Sequence, residues 1–321
     1  MRSRVEARSV TQKLITIVSP CYNEELNVRE MHRRLRAMAA ELPEYRFAFL
    51  FIDNASGDNT VGVLRELAAE DPAVRVIVNA RNFGHLRSPM HGFLQAEGDA
   101  VGLVASDLQE PPELFVPMVR EWEKGSPIVA AVKNSSDESG LMYRIRTGYY
   151  RLVARLTNVE VIEHYTGFGL YDRKVAEALR AGFHDPYPYF RGMIAELGMP
   201  HVKVFYNQAQ RKRGITKNNF YTLYDLAMLG ITNLSKVPLR LVTFTGFVCA
   251  LLSFLAGLFY FGYKITFWKH FTVGVAPVVI GLFFLGSVQM IALGIIGEYV
   301  GSIHTMAQNR PLVTEKERIN C

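Results

Sequence analysis

Leu14-Ile15-Thr16-Ile17-Val18 breaks off into Ser19-Pro20-Cys21-Tyr22-Asn23-Glu24-Glu25, an apolar run followed at once by a polar segment. Apolar runs rich in β-branched residues and bounded by turn residues read as buried strands. Phe47-Ala48-Phe49-Leu50-Phe51-Ile52 is a second such run, Val74 to Val78 a third and Ala100 to Ala105 a fourth. Helical spacing fills the gaps. Asn23 to Met38 carries Leu26, Met31 and Leu35 on or near one face, and Thr60 to Ala69 follows the second strand. The alternation predicts an α/β domain on a mainly parallel sheet with helices on both faces. Ligands of such sheets sit outside the carboxyl ends of the strands. Interest therefore falls on Tyr22 to Glu25, Asp53 to Asp58, Arg81 to Gly84 and Ser106 to Glu113.

Beyond these strands the pattern is less regular. Asn134 to Gly140 reads as a loop, Met142 to Thr157 as a helix and Gln210 to Asn219 as a basic loop. Phe220, Leu223, Ala227, Ile231 and Leu234 then recur at helical spacing. That short segment is expected to lie on a membrane surface as an interfacial helix, with ordinary packing against the domain as the alternative. Two apolar runs follow. Leu241 to Tyr263 holds 23 residues without a charge, Phe271 to Gly297 holds 27, and Lys264 to His270 separates them. At about 1.5 Å per residue each can cross a hydrocarbon layer roughly 30 Å thick, so the pair is expected to be a transmembrane hairpin. No apolar stretch of signal-peptide type precedes Leu14.

The net charge of +6 is concentrated just before the first apolar run. Lys203, Arg211, Lys212, Arg213, Lys217, Lys236 and Arg240 face one acid, Asp225, within residues 201–240. A basic collar beside a span suits anionic headgroups or phosphate ligands and marks the cytoplasmic side. Arg310, Lys316 and Arg318 after the second run add to that bias, which places both ends of the chain in the cytoplasm. Nucleic acid is not an expected partner, since no motif for it accompanies the patch. Cys21, Cys249 and Cys321 are far apart and suggest neither a disulfide framework nor a zinc site.

The chemistry centres on Ala105-Ser106-Asp107-Leu108-Gln109-Glu110-Pro111-Pro112-Glu113. A carboxylate at the tip of a parallel strand, with an oxygen ligand two residues on, can hold a hard divalent cation whose shell is completed by phosphates. A helix N-cap is the plain structural alternative for such an Asp. Together with Ser19 to Glu25 and with Asp53-Asn54-Ala55-Ser56-Gly57-Asp58, this segment resembles the nucleotide-sugar motifs of the family 2 glycosyltransferases. Their usual forms are P-x-Y-N-E, V-D-D-G-S-x-D and D-A-D-L-Q-D-P-P-E. Arg81-Asn82-Phe83-Gly84, Arg211-Lys212-Arg213-Gly214-Ile215-Thr216-Lys217 and Gly294 to Tyr299 resemble further elements of the branch that uses polyprenyl phosphates, which includes dolichyl-phosphate mannose synthases and bactoprenol glucosyltransferases. The resemblance runs from about residue 14 to 302.

The resemblance implies a GT-A-like domain and a membrane-anchored, inverting hexosyltransferase. It would move one sugar from a nucleotide sugar to a polyprenyl phosphate of undecaprenyl or dolichyl type, in the making of cell-envelope glycan. Asp107 and Gln109 would hold Mg2+ or Mn2+. Pro20, Tyr22, Glu24, Asp53, Ser56, Arg81 and Asp107 would serve the nucleotide sugar. Arg211, Arg213 and Lys217 would take the acceptor phosphate, with Asp107 and Arg211 as the catalytic pair. Glu24 has a helix-capping alternative, and His85 and His91 are candidates for the sugar beside a structural role. Three departures stand out: Ala105 where the family has an acid, Asn54 for the second Asp of its pair, and Thr166-Gly167-Phe168-Gly169 where related chains read G-D-F-R.

The expected organisation is a cytoplasmic transferase domain over 1–218, an interfacial helix over 219–238, a two-helix hairpin over 239–302 and a cytoplasmic tail over 303–321. Partners would be the donor, the lipid acceptor and the bilayer, with self-association compatible. Rival readings are transfer to another lipid such as a diacylglycerol, a processive polysaccharide synthase, for which two spans are few, and a degenerate nucleotide-binding scaffold.

Overall fold

A central strand buried on both faces has to be apolar almost without interruption, and β1 (Leu14–Cys21) is such a strand. In the computed structural model, which describes residues 12–135, 162–183, 185–208, 228, 235–267 and 275–321, it lies in the middle of an eight-stranded sheet. The chain separates into two units, one of residues 1–150, 159–219 and 309–321, the other of 151–158 and 220–308.

The first unit runs β1, α1 (Val28–Ala40), β2 (Arg46–Asp53), α2 (Thr60–Glu70), β3 (Val74–Asn79), α3 (Gly84–Gln95), β4 (Ala100–Leu103), a 3-10 turn (Pro112–Leu114) and α4 (Phe115–Glu123). β5 (Ile128–Ser135), β6 (Tyr165–Asp172), α5 (Arg173–Gly182), α6 (Phe190–Glu196) and β7 (His201–Asn207) follow, and a last strand, β8 (Glu315–Ile319), closes the chain. The sheet order is β7-β5-β6-β4-β1-β2-β3-β8. β1 pairs in parallel with β2 and β4, β2 with β3, and β5 with β7. β6 runs antiparallel to β4 and β5, and β8 antiparallel to β3. This is the mainly parallel sheet that the alternating pattern predicts.

Side chains alternate across the sheet, so each strand feeds two cores. Ile15, Ile17, Phe49, Phe51 and Val76 meet Met31 and Leu35 of α1, Leu64 of α2 and Phe115 and Met118 of α4. Val18, Leu50, Ile52 and Val101 meet Met90 and Phe93 of α3, Val175 and Leu179 of α5 and Met193 of α6 on the other face. Each fully buried Phe or Leu here contributes about 1.5–3 kcal/mol by leaving water. α3 comes close enough that a Cβ on Gly92 would lie 3.0 Å from both Ile52 and Val18.

Three expectations change. The first helix begins at Val28 rather than Asn23, and Leu26, expected on its inner face, is 60% exposed. The fourth strand stops at Leu103, two residues early. Residues 303–321, expected as a tail, supply β8, whose alternating charges suit an edge strand. Met142–Thr157, the basic loop at 210–219 and nearly all of Phe220–Leu234 lie outside the described residues.

The second unit contains α7 (Val237–Thr266) and α8 (Val275–Ala307). Two segments are long and apolar enough to cross a membrane, Val237–Thr266 with a mean hydropathy of 2.2 and Gly281–Ala307 with 1.6, and none of either apolar window is buried. The Tyr299 hydroxyl donates to the Ser235 carbonyl at 2.6 Å within this unit. All three cysteines are free thiols.

Candidate functional site

The register of β1 with β2 sets Cys21 beside Asp53, so both strands end flush on one rim. The loops that follow are tied together. Asn23 adopts a left-handed backbone with φ 57°, donates its N–H to Ser56 Oγ at 2.9 Å and accepts the Gly57 N–H on Oδ1 at 2.7 Å. Glu24 N–H donates to Thr60 Oγ1 at 2.9 Å, and Glu25 Oε2 accepts the Asn59 N–H at 2.9 Å. These bonds bind residues 23–25 to the second loop, which is why a helix cannot start there. Tyr22 lies half-buried in the turn, and Pro20 half-buried at the end of β1. Glu24 is buried, its carboxylate accepting from Asn27 Nδ2 at the entry to α1. Asp53 is fully buried and accepts from both the backbone N–H (3.0 Å) and the hydroxyl of Ser56. Burial pushes its carboxyl above the usual range, and those two bonds pull against that push.

Asn54 turns toward the loop after β3. Its Nδ2 donates to Asn82 Oδ1 at 3.0 Å and to the Gly84 carbonyl at 3.2 Å. Its Oδ1 accepts from Phe83 N–H at 2.9 Å and Asn79 Nδ2 at 3.2 Å. One buried amide thus holds residues 82–84 to the end of β2. Arg81 is exposed, with its guanidinium 4.0 Å from the Phe83 ring centroid, and Arg87 lies over the same ring at 5.2 Å. His85 is exposed. His91 lies further along α3 and bonds Glu315 at 2.5 Å, a structural partner rather than a free imidazole.

Past β4 the chain stays zipped to β1: Val104 N–H donates to the Val18 carbonyl at 3.0 Å and Ser106 N–H to the Pro20 carbonyl at 3.2 Å. The Ser19 and Ser106 hydroxyls meet at 2.7 Å. Asp107 emerges half-buried, and its Oδ1 accepts the Gln109 N–H at 3.2 Å across Leu108, a residue with φ 61°. The loops carrying Pro20, Tyr22, Asp53, Ser56 and Asp107 therefore share one rim. Arg211, Arg213 and Lys217 lie outside the described residues.

Glu110, which has no assigned role within the Ser106–Glu113 stretch, anchors this loop. It is buried, and its carboxylate accepts the Ala105 N–H at 3.1 Å and the Thr166 hydroxyl of β6 at 2.8 Å. Burial pushes its carboxyl upward, opposed by those bonds and by the charge of Lys133. The sequence signal for it is its place between Asp107 and Glu113, one of three acids within seven residues. Gly167 and Gly169 replace an acid and an arginine of the resembling motif, and the backbone is built around their absence. Gly167 has φ +105°, and a Cβ on Gly169 would fall 2.5 Å from the Val129 carbonyl oxygen.

Among the described residues no three His, Cys, Asp or Glu side chains gather into a metal cluster. Asp107 and Gln109 offer two hard oxygen donors on a half-buried loop. That sparse set fits Mg2+ or Mn2+, which keep open positions for phosphate and water, and does not fit zinc.

Residues 16–180, from β1 into α5, match the model of glycosyl transferase family 2. The chain belongs to that family. It is 33% identical over 92% of its length to the uncharacterized glycosyltransferase YkcC of Bacillus subtilis, covering 91% of that protein. It is 31% identical over 92% of its length to the SfII prophage-derived bactoprenol glucosyl transferase of Shigella flexneri, covering 96% of it. Among solved structures it is similar to a mannosyltransferase from Pyrobaculum calidifontis in complex with GDP-Man and Mn2+, at 13% identity, 94% and 88% coverage and a TM-score of 0.48. This family 2 glycosyltransferase carries Asn54 and Ala105 where the motifs it resembles have acids.

Proposed function

We propose that this glycosyltransferase moves one sugar from a nucleotide sugar to a polyprenyl phosphate at the cytoplasmic face of a membrane. The observation that carries the reading is the shared rim. The loops after β1, β2 and β4 converge there in a chain that also holds two long apolar helices with unburied surfaces. Relatives named bactoprenol glucosyl transferase support the acceptor class. The pairing of β8 with β3 supports the topology: the chain leaves the sheet unit before residue 220 and rejoins it at 309, so any crossings between come in an even number. Two helical spans, a cytoplasmic sheet unit and the basic collar fit that count.

In this reading Tyr22 and the Asp53–Ser56 turn frame the nucleoside, and Arg81 faces the diphosphate. Asp107 and Gln109 would hold a divalent cation, which would supply positive charge against the diphosphate leaving group. A polyprenyl phosphate is already anionic near neutral pH, so its oxygen attacks the anomeric carbon without a protein base. The bond from that carbon to the donor phosphate breaks, the bond to the acceptor phosphate forms with inversion, and the nucleoside diphosphate departs. Loss of the acid at Gly167 is compatible with this, because alignment and charge neutralisation are the main tasks. Arg211, Arg213 and Lys217 would clamp the acceptor, where the guanidinium fork matches phosphate oxygens.

Purified protein in detergent, given UDP-, GDP- and dTDP-sugars in turn with a short-chain polyprenyl phosphate and Mg2+ or Mn2+, should release nucleotide from one donor class. Release should require both the lipid phosphate and the metal. Release that is equal with diacylglycerol would redirect the acceptor assignment, and no release from any donor would favour a scaffold.

A further inference from the structure

The residues after the second apolar helix do more than complete the sheet. Arg87, His91 and Gln95 stand four residues apart on α3, one stripe of a helix, and all three meet this segment. Arg87 donates from Nε to the Leu312 carbonyl at 2.7 Å and from Nη2 to the Pro311 carbonyl at 2.6 Å. His91 meets Glu315, and Gln95 Oε1 accepts from Arg318 at 2.7 Å. Val313 is buried, and Leu312 packs into the α3 core. On the other side β8 pairs with β3, and the Ala80 N–H donates to the Thr314 carbonyl at 2.8 Å. Arg65 on α2 reaches Glu317, and Asn320 Nδ2 caps the Ala68 and Val74 carbonyls.

The segment therefore grips β3 and α3, the two elements that bracket Arg81–Gly84. Arg87 belongs to both arrangements: it holds two carbonyls of the C-terminal segment and stacks over Phe83 of the loop. From inside, the same loop is fixed by Asn54. From outside, its flanks rest on residues 311–319. A segment more than 200 residues downstream is thus stitched to this helix by two charge-assisted bonds to carbonyls and by the His91–Glu315 hydrogen bond.

We propose that residues 311–319 are a brace that holds the Arg81–Gly84 loop in its donor-binding position, with Arg87, His91 and Glu315 as positioning residues. The brace rests on the reading that this loop serves the nucleotide sugar. It makes the segment after the spans part of donor recognition rather than a free tail.

Two measurements on the full chain in detergent test it. The first is amide hydrogen exchange over residues 79–90 without ligand, which reads the brace alone. The second is the KM for donor and for acceptor beside kcat, which reads its consequence. Arg87→Ala should speed exchange over 79–90 and raise donor KM about tenfold, the scale of one or two lost charge-assisted hydrogen bonds, with acceptor KM unchanged. Glu315→Ala should do the same more weakly, and Glu315→Gln, which keeps an acceptor for His91, should recover most of it. Unchanged exchange in both alanine variants overturns the brace. So does faster exchange with donor KM at the wild-type value, which would leave the segment a purely structural strand. Failure of the donor reading itself would appear separately, as a wild-type chain that turns over no nucleotide sugar while its variants still lose exchange protection.

Discussion

The loops after β2 and β4 have each lost an acid of the resembling motif, and they have dealt with the loss in opposite ways. After β2 the replacement is Asn54, a buried amide that uses both ends, donating to Asn82 and Gly84 and accepting from Phe83 and Asn79. After β4 the replacement is Ala105, whose side chain does no polar work. Its backbone N–H is taken by Glu110, which reaches on to Thr166. In the first loop the changed residue became the anchor; in the second a neighbour did. In the proposed reading Asp53 and Ser56 would serve the donor on one side and Asp107 and Gln109 the metal on the other. Substitutions that separate anchoring from chemistry therefore break or sharpen the comparison.

The largest effect belongs to Asp107. Ala105 cannot ligate, Glu110 is buried on its partners, and Glu113 is held by Arg34. Asp107→Ala should lower kcat/KM by on the order of a hundred- to a thousandfold, the scale for removing a group that stabilises developing charge. Its thermal unfolding midpoint should change far less than its activity, since Asp107 is a half-buried loop residue outside the sheet core. A variant that keeps normal turnover would move the metal elsewhere.

Why the strand core was legible and the anchors were not is a matter of range. Ile15, Ile17, Phe49, Phe51 and Val76 announce buried strands through residues next to them in sequence. The strand-end rule then put Asp53 and Asp107 on one rim without any knowledge of contacts. Asn23 misled because its helix-compatible neighbours say nothing of Ser56 and Gly57, 33 and 34 residues away, which hold it in a left-handed turn. Glu110 carries no local signal of its role, because its partner Thr166 is 56 residues on. β8 carries Glu315, Lys316, Glu317 and Arg318, which read as a solvated tail until β3 is beside them. Gly169 looked like a lost arginine, whereas the Val129 carbonyl leaves no room for a side chain there.

Glu110→Ala should come next in size and should appear first in stability. It removes the acceptor from the half-buried Ala105 N–H and from the Thr166 hydroxyl, and two such lost bonds together cost about 1–3 kcal/mol. The thermal midpoint should fall clearly, and Mn2+ affinity measured by paramagnetic titration should fall with it, as the turn bearing Asp107 and Gln109 loosens. Glu110→Gln keeps one acceptor oxygen and should lose less of both. Full stability in the alanine variant would mean that the β4 loop stands without its neighbour's help, and the contrast with Asn54 would dissolve.

The smallest and most discriminating change restores the family's acid at Asn54. Were Asn54 a weakened donor-site residue, Asn54→Asp should improve turnover. The hydrogen bonds argue the reverse. An aspartate in the same pose keeps the acceptor for Phe83 and Asn79 but sets its second oxygen against the Gly84 carbonyl and the Asn82 side-chain oxygen, where an amide now donates. Asn82 could rotate its amide to donate, but its oxygen would then leave the Gly84 N–H that it accepts at 2.8 Å. The Gly84 carbonyl has no such freedom. Two donated bonds are lost and a buried charge is gained, so the variant should be less stable by about 1–3 kcal/mol. Donor KM should rise a fewfold while kcat at saturating donor stays close to wild type, because the loop is displaced and the chemistry is not. Higher kcat/KM at an unchanged thermal midpoint would place Asn54 at the nucleotide rather than behind the loop.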